Sequence, residues 1–221
     1  MTEGGSTARR AAVVPDAGKA ASRLSAVHGW LRFRSTGRPL PRRLTDDVAG
    51  WQAAVLADHR RWYGVDAPVQ VSGAFVLQYL LQVPAHTAAL AAAAGMRVRD
   101  LAVLSFELGP GGVPALVETG PLEQLAGDLA HRLESAESDY RAVAKPLARA
   151  YRSSRRMSSH QRLGMVADMW ADALRVAAPG ALEPDRRRTS CCLIYALPGC
   201  VTCSGCPRQG PGRRTGARRN R

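Results

Sequence analysis

The chain reads as an α+β protein: a mainly helical domain with a small antiparallel β-sheet and an appended C-terminal cysteine-rich segment. Three observations carry this. Apolar residues recur at helical spacing over several stretches between residues 45 and 177. Residues 101–117 switch to a strand–turn–strand pattern around Gly109-Pro110-Gly111-Gly112. All five cysteines fall between Cys191 and Cys206. With 221 residues and 46% hydrophobic content, the chain can bury one substantial core. Only 5% is aromatic, so that core rests on Ala, Leu and Val.

Taken in order, residues 1–25 are rich in Gly, Ser, Ala and Arg and read as a disordered basic leader. The main domain is expected over 26–180. Residues 27–34 suit a strand with Leu31 and Phe33 on one face, and 35–44 suit a loop with two prolines. A helix is expected from Thr45, with Asp46 and Asp47 at its positive end and Arg60 and Arg61 at its negative end. Val48, Trp51, Val55 and Trp62 then share a face, and Gly64 stops it. A second helical region covers 72–95, with a break or kink at Pro84 and an end at Gly95. After the hairpin, Pro121 suits a first helical turn, with Leu122, Leu125, Leu129 and Leu133 as the apolar stripe. Another helix spans about 138–151, restarting at Pro146. The last runs over 159–177, with Leu163, Val166, Trp170 and Leu174 along one side and Pro179-Gly180 at its end. Residues 181–207 form the cysteine segment with its linker, and 208–221 an arginine-rich disordered tail.

The net charge of +13 comes almost wholly from arginine, since Lys19 and Lys145 are the only lysines. It is concentrated at the ends: residues 208–221 hold six arginines and no acid, and 1–44 hold nine basic residues and two acids. The tail lacks interleaved aromatics, which argues against base-stacking single-strand binding, and no specific nucleic-acid partner is expected. No apolar run reaches eighteen residues, and residues 1–10 lack an apolar signal core, so a cytoplasmic location without a transmembrane segment is expected. A reducing compartment disfavours a disulfide framework.

The cysteines are Cys191, Cys192, Cys200, Cys203 and Cys206. An adjacent pair, ten residues, a cysteine, two residues and a cysteine is a ligand spacing. Clustered thiolates match the soft-ligand preference of zinc and of iron–sulfur centres. Cys203-Ser204-Gly205-Cys206 suits a tight turn aiming two sulfurs at one centre, and Pro198-Gly199 bends the chain back toward the first pair. Structural zinc sites use two turns with two to four residues between ligands, which neighbouring cysteines cannot supply. Zinc is therefore disfavoured but stays open, as does a thiol–disulfide pair.

The stretch Arg187-Arg188-Thr189-Ser190-Cys191-Cys192-Leu193-Ile194-Tyr195, then Leu197-Pro198-Gly199, then Cys203-Ser204-Gly205-Cys206-Pro207 resembles the C-terminal signature of the FhuF-type ferric siderophore reductases. The resemblance implies a [2Fe–2S] cluster held by Cys191, Cys192, Cys203 and Cys206. It also implies release of iron from hydroxamate or catecholate siderophores by one-electron reduction. Cys200 departs from the pattern and is expected to be idle or an alternative ligand. Arg187 and Arg188 could favour the more negative, reduced cluster and attract an anionic chelate, or form a solvated basic linker. The glycine run 109–112 sits between strands rather than before a helix, so no bound NAD or flavin is expected. Electrons are then expected from a ferredoxin or separate reductase. Two alternatives stand beside this reading: a zinc-stabilised binding module, and a siderophore-binding protein with a structural or sensory cluster. His28, His59, His86, His131 and His160 are scattered and show no ligand spacing, and Ser158-Ser159-His160 reads as a helix start.

Overall fold

A computed structural model describes residues 12–183, 186–203 and 205–209. In chain order it contains α1 (Ala17–Val27), β1 (Arg32–Arg34), β2 (Arg42–Arg43), α2 (Ala49–Tyr63), α3 (Val69–Ala93), β3 (Met96–Val98), β4 (Ser105–Leu108), β5 (Pro114–Glu118), β6 (Leu122–Gln124), α4 (Leu129–Ala150) and α5 (Ser159–Ala177). The helical class with a small sheet and a terminal cysteine segment is therefore as expected.

The centre of the molecule is α3, whose residues from Val71 to Ala92 are nearly all buried. It packs against α5, α4 and α2. Its C-terminal half is mostly alanine, and small side chains let neighbouring helices approach closely. Pro84 does not break it: the helix continues through a fully buried proline. The missing amide bond and ring clash cost about 3 kcal/mol. Burying Leu80, Leu81, Val83 and Leu90 offsets that, at about 1.5–3 kcal/mol per side chain. An 18-residue window of α3 is apolar enough to cross a membrane by length and composition, but 83% of it is buried inside the protein.

Several helix starts differ from the sequence expectation, α3 among them, which begins at Val69 rather than 72. The leader is helical from Ala17, where Asp16 accepts a hydrogen bond from Lys19 N at 2.8 Å; residues 1–11 and 210–221 lie outside the described residues. α2 begins at Ala49 rather than Thr45, because Asp46 Oδ2 is taken by Arg43 N in the preceding turn. Gly64 ends it as expected, at φ 101°. α4 begins at Leu129 behind the Asp128 cap and runs unbroken through Pro146. Leu122 belongs instead to β6, which pairs antiparallel with β3 (Met96↔Gln124, Val98↔Leu122). Gly127, at φ 105°, separates that strand from α4.

The 101–117 hairpin forms as β4 and β5, with Phe106 opposite Val117. It extends to a four-stranded sheet in the order β1-β5-β4-β2. The sheet is mixed rather than wholly antiparallel, since β1 runs parallel to β5 with Phe33 opposite Val117. The strand expected over 27–34 shrinks to β1, because Val27 completes α1 and His28 forms a buried corner. Leu31 and Phe33 are both buried, as their shared face required.

Candidate metal centre

The cysteine segment has little regular structure, and α5 holds it by its backbone. Ser158 caps α5, accepting from Gln161 N at 3.1 Å. Gln161, Gly164 and Asp168 then recur at i, i+3 and i+7, which puts them on one face. Gln161 Nε2 donates to the Cys191 carbonyl at 3.0 Å. Asp168 accepts from Thr189 N and Ser190 N, each at 2.7 Å, and from the Ser190 hydroxyl. A Cβ on Gly164 would lie 3.1 Å from Thr189 Cγ2, so only glycine lets the segment come this close. Arg188 fastens the same stretch to α3, donating to Gln78 Oε1 at 2.9 Å, and its Nε lies 3.6 Å from Asp168 Oδ2. Its backbone N–H donates to the Gly205 carbonyl at 3.0 Å, which ties the start of the segment to its end.

The chain turns sharply after the adjacent cysteines. Leu193 has φ 63°, the one positive φ of a non-glycine among the described residues. That conformation costs about 1 kcal/mol or more. It brings Leu193 N within 3.4 Å of Cys191 Sγ. Cys206 N donates to the Cys203 carbonyl at 3.0 Å, closing the expected turn. Cys192 Sγ and Cys203 Sγ lie 4.0 Å apart. Cys192 and Cys206 are buried, and Cys191 and Cys203 half-buried. Burial pushes the Cys203 thiol up to about 11, with the Cys192 thiol adding to the rise and the Arg188 charge opposing it. The Cys191 thiol is raised by burial and by Cys206 and Cys192, against the Leu193 N–H. Each of these two thiols thus responds to other members of the set of four.

Residues 188–208 match the family model described as the FhuF 2Fe-2S C-terminal domain. The segment is a [2Fe–2S] domain. No curated protein and no solved structure matches the chain.

Cys191, Cys192, Cys203 and Cys206, the four thiols at the expected ligand spacing, would offer a donor set made of sulfur alone, as an iron–sulfur cluster uses. Among the described residues, no three His, Cys, Asp or Glu side chains are gathered closely enough to hold a metal ion as they stand. Cys200 packs in a small apolar patch with Leu197, Ile194, Ala67, Val71 and Tyr63. Arg187 and Arg188 differ from a free basic linker. Arg188 is largely buried against Asp168 and Gln78, and Arg187 donates to the Gln209 carbonyl.

Of the tryptophans expected in the core, Trp51 and Trp170 are buried, whereas Trp62 is 55% exposed beneath the Arg61 guanidinium. Two histidines that look unrelated in sequence meet in the core. The Leu31 N–H donates to His28 Nδ1 at 3.0 Å, so His28 Nε2 carries the proton toward His86 Nδ1 at 2.9 Å. His86 Nε2 then faces Asp172 Oδ2 at 3.3 Å. Burial, with the neighbouring His86, lowers His28 to about 4. Beside this chain lies a cleft of about 480 Å³ between Trp30, Tyr79, Gln82 and the 109–115 hairpin.

Sequence reasoning found the four thiols but missed Gln161, Gly164, Asp168 and Gln78. One signal was present: Gln161, Gly164 and Asp168 recur at helical spacing on one side of α5, beside its apolar residues.

Proposed function

We propose that this protein is a cytoplasmic ferric-siderophore reductase in which Cys191, Cys192, Cys203 and Cys206 ligate the cluster. The match of residues 188–208 to a [2Fe–2S] domain of the FhuF type carries the reading. When bound, such a cluster supplies one-electron chemistry. One electron suffices: Fe(III) is held by the hard oxygens of hydroxamate or catecholate chelators, and Fe(II), being softer, is held far less tightly. The electron originates in an external donor protein, a ferredoxin or separate reductase.

The chain's own residues supply binding and tuning. Cys191, Cys192, Cys203 and Cys206 would hold the cluster as thiolates. The Leu193 N–H, 3.4 Å from Cys191 Sγ, stabilises negative charge on that sulfur. Arg188 adds positive charge near Cys203 but shares it with Asp168. The cleft at Trp30, Tyr79 and Gln82 suits an uncharged arm of a chelate, since no charged side chain lines it. Gln82 lies four residues beyond Gln78, the partner of Arg188, which is about 6 Å along the helix axis.

Anaerobic purification should yield a coloured protein with about two irons and two sulfides per chain. After reduction, it should release Fe(II) from a ferric siderophore to a ferrous-specific chelator, with oxidation of the protein faster than in buffer alone. A colourless protein holding one zinc, or oxidation no faster with the chelate, removes the proposal.

A further inference from the structure

We infer that Asp168 is the positioning residue of the metal centre: it docks the backbone that carries Cys191 and Cys192 onto α5 and turns that backbone's amides away from the thiols. The inference rests on the [2Fe–2S] reading of the segment but concerns a residue outside residues 188–208.

Asp168 is 3% exposed in the middle of α5, a poor place for a carboxylate. A buried carboxylate is tolerated where its oxygens are hydrogen-bonded. Every hydrogen bond Asp168 accepts among the described residues comes from the cysteine segment: Thr189 N, Ser190 N and the Ser190 hydroxyl. The Arg188 guanidinium adds a counter-charge at 3.6 Å. The main domain makes no use of this carboxylate, so its burial is compensated only when the segment is docked. Gly164, one turn earlier on the same face, leaves room for Thr189 and Ser190. Gln161 continues the grip to the Cys191 carbonyl.

The grip has an electronic side. Amides that point at cluster sulfurs stabilise the reduced state and raise the potential. Asp168 occupies the two amides that immediately precede Cys191 and Cys192, leaving Leu193 N as the amide facing Cys191 Sγ. It also sets a negative charge behind the ligands. Both effects hold the potential down.

The test uses the full chain with Asp168→Asn, which keeps the shape while removing the charge and one acceptor. Ser190→Ala serves as a milder variant that leaves α5 untouched. Asp172→Asn is the control, one turn further along α5 and bonded to His86 and Gln82 rather than to the segment. Hydrogen exchange on the unloaded protein should show the Thr189 and Ser190 amides opening at least about tenfold faster in Asp168→Asn, as expected for lost bonds to a charged acceptor. The effect should be smaller in Ser190→Ala and absent in Asp172→Asn. On the loaded protein, Asp168→Asn should lower iron retention and move the midpoint potential in the positive direction, with an altered electron paramagnetic resonance signal after reduction. Unchanged exchange and potential in Asp168→Asn overturn the inference. So does equal loss of protection in Asp172→Asn, which would mark a general loosening of α5. Failure of the wild-type chain to take up iron counts against the cluster reading alone, and the exchange comparison still decides the docking role.

Discussion

Gly164→Ala separates the stability of the main domain from the attachment of the metal segment. The new Cβ would sit 3.1 Å from Thr189 Cγ2 and 3.3 Å from Ser190 Cβ. Carbon atoms prefer about 3.5–4.0 Å, so the segment must move outward by roughly 0.5 Å. The Thr189 N–Asp168 bond, 2.7 Å long, would then stretch to about 3.2 Å, the outer edge of a good hydrogen bond. That weakens attachment by about 1 kcal/mol. Within α5, alanine is favoured over glycine by up to about 1 kcal/mol. The two effects act on different equilibria. Global unfolding in urea should stay level or shift to higher denaturant. Exchange at Thr189 and Ser190 should accelerate about fivefold, and iron retention during gel filtration should fall. Slower exchange at these amides, or a drop in global stability with unchanged exchange, would refute the close-packing argument.

Cys203→Ser and Cys206→Ser should each lose most of the cluster iron, whereas Cys200→Ser should retain it; iron analysis after anaerobic reconstitution decides. His28 titrates near 4 in the folded chain against about 6.5 when exposed. The unfolded chain therefore binds the proton first as pH falls, so stability present above pH 6.5 is lost toward pH 4, by about 3 kcal/mol. Urea midpoints against pH for wild type and His28→Gln should diverge over that window, and parallel curves would contradict it. Tyr140→Phe removes the buried hydroxyl that donates to the Val166 carbonyl at 2.9 Å, at a cost of about 1 kcal/mol in urea unfolding. Removal of the cluster by a chelator should raise exchange across 189–206 while the protection of α3, α4 and α5 persists.

The parts of the fold legible in sequence were those where periodicity and terminator agree. α5 was found at its observed limits because Ser158, the apolar repeat and Pro179-Gly180 agree, although Leu163 lies at the surface and Met165, Met169 and Ala173 fill the buried side. The β4–β5 hairpin and the Gly64 stop were equally plain. β6 was hidden because Leu122 and Leu125 fall by chance in helical register with Leu129 and Leu133. There Gly127 and Asp128 were the better signals. Pro84 misled because a local rule about helix breaking yields to burial on all sides. The thiols were legible because ligand spacing is local. Asp168 and Gly164 were not, because they act on Thr189 and Ser190, which tertiary structure brings to them. The same holds for His28 and His86, which lie 58 residues apart and meet only in the core.

The metal segment owes its position to few side chains. Leu193 is its contact with the main core, and Leu197 anchors the smaller patch with Ala67 and Val71. Burial on that scale is small beside the entropy cost of ordering a stretch of irregular chain. The segment therefore needs further sources of order. One is the row of polar bonds from Gln161, Asp168 and Gln78 to residues 188–191, with the Arg188 N–Gly205 bond carrying that hold across to the second pair of cysteines. On the proposed ligation the other would be the cluster, whose binding energy to four thiolates would also be folding energy for the chain between them. The thiols argue for this division. Burial and mutual proximity keep Cys191 and Cys203 protonated in the unloaded chain. Nearby thiols that cannot ionise readily one beside another become a stable anionic set only when metal takes the place of their protons, so the docking row brings together groups whose own electrostatics hold them apart.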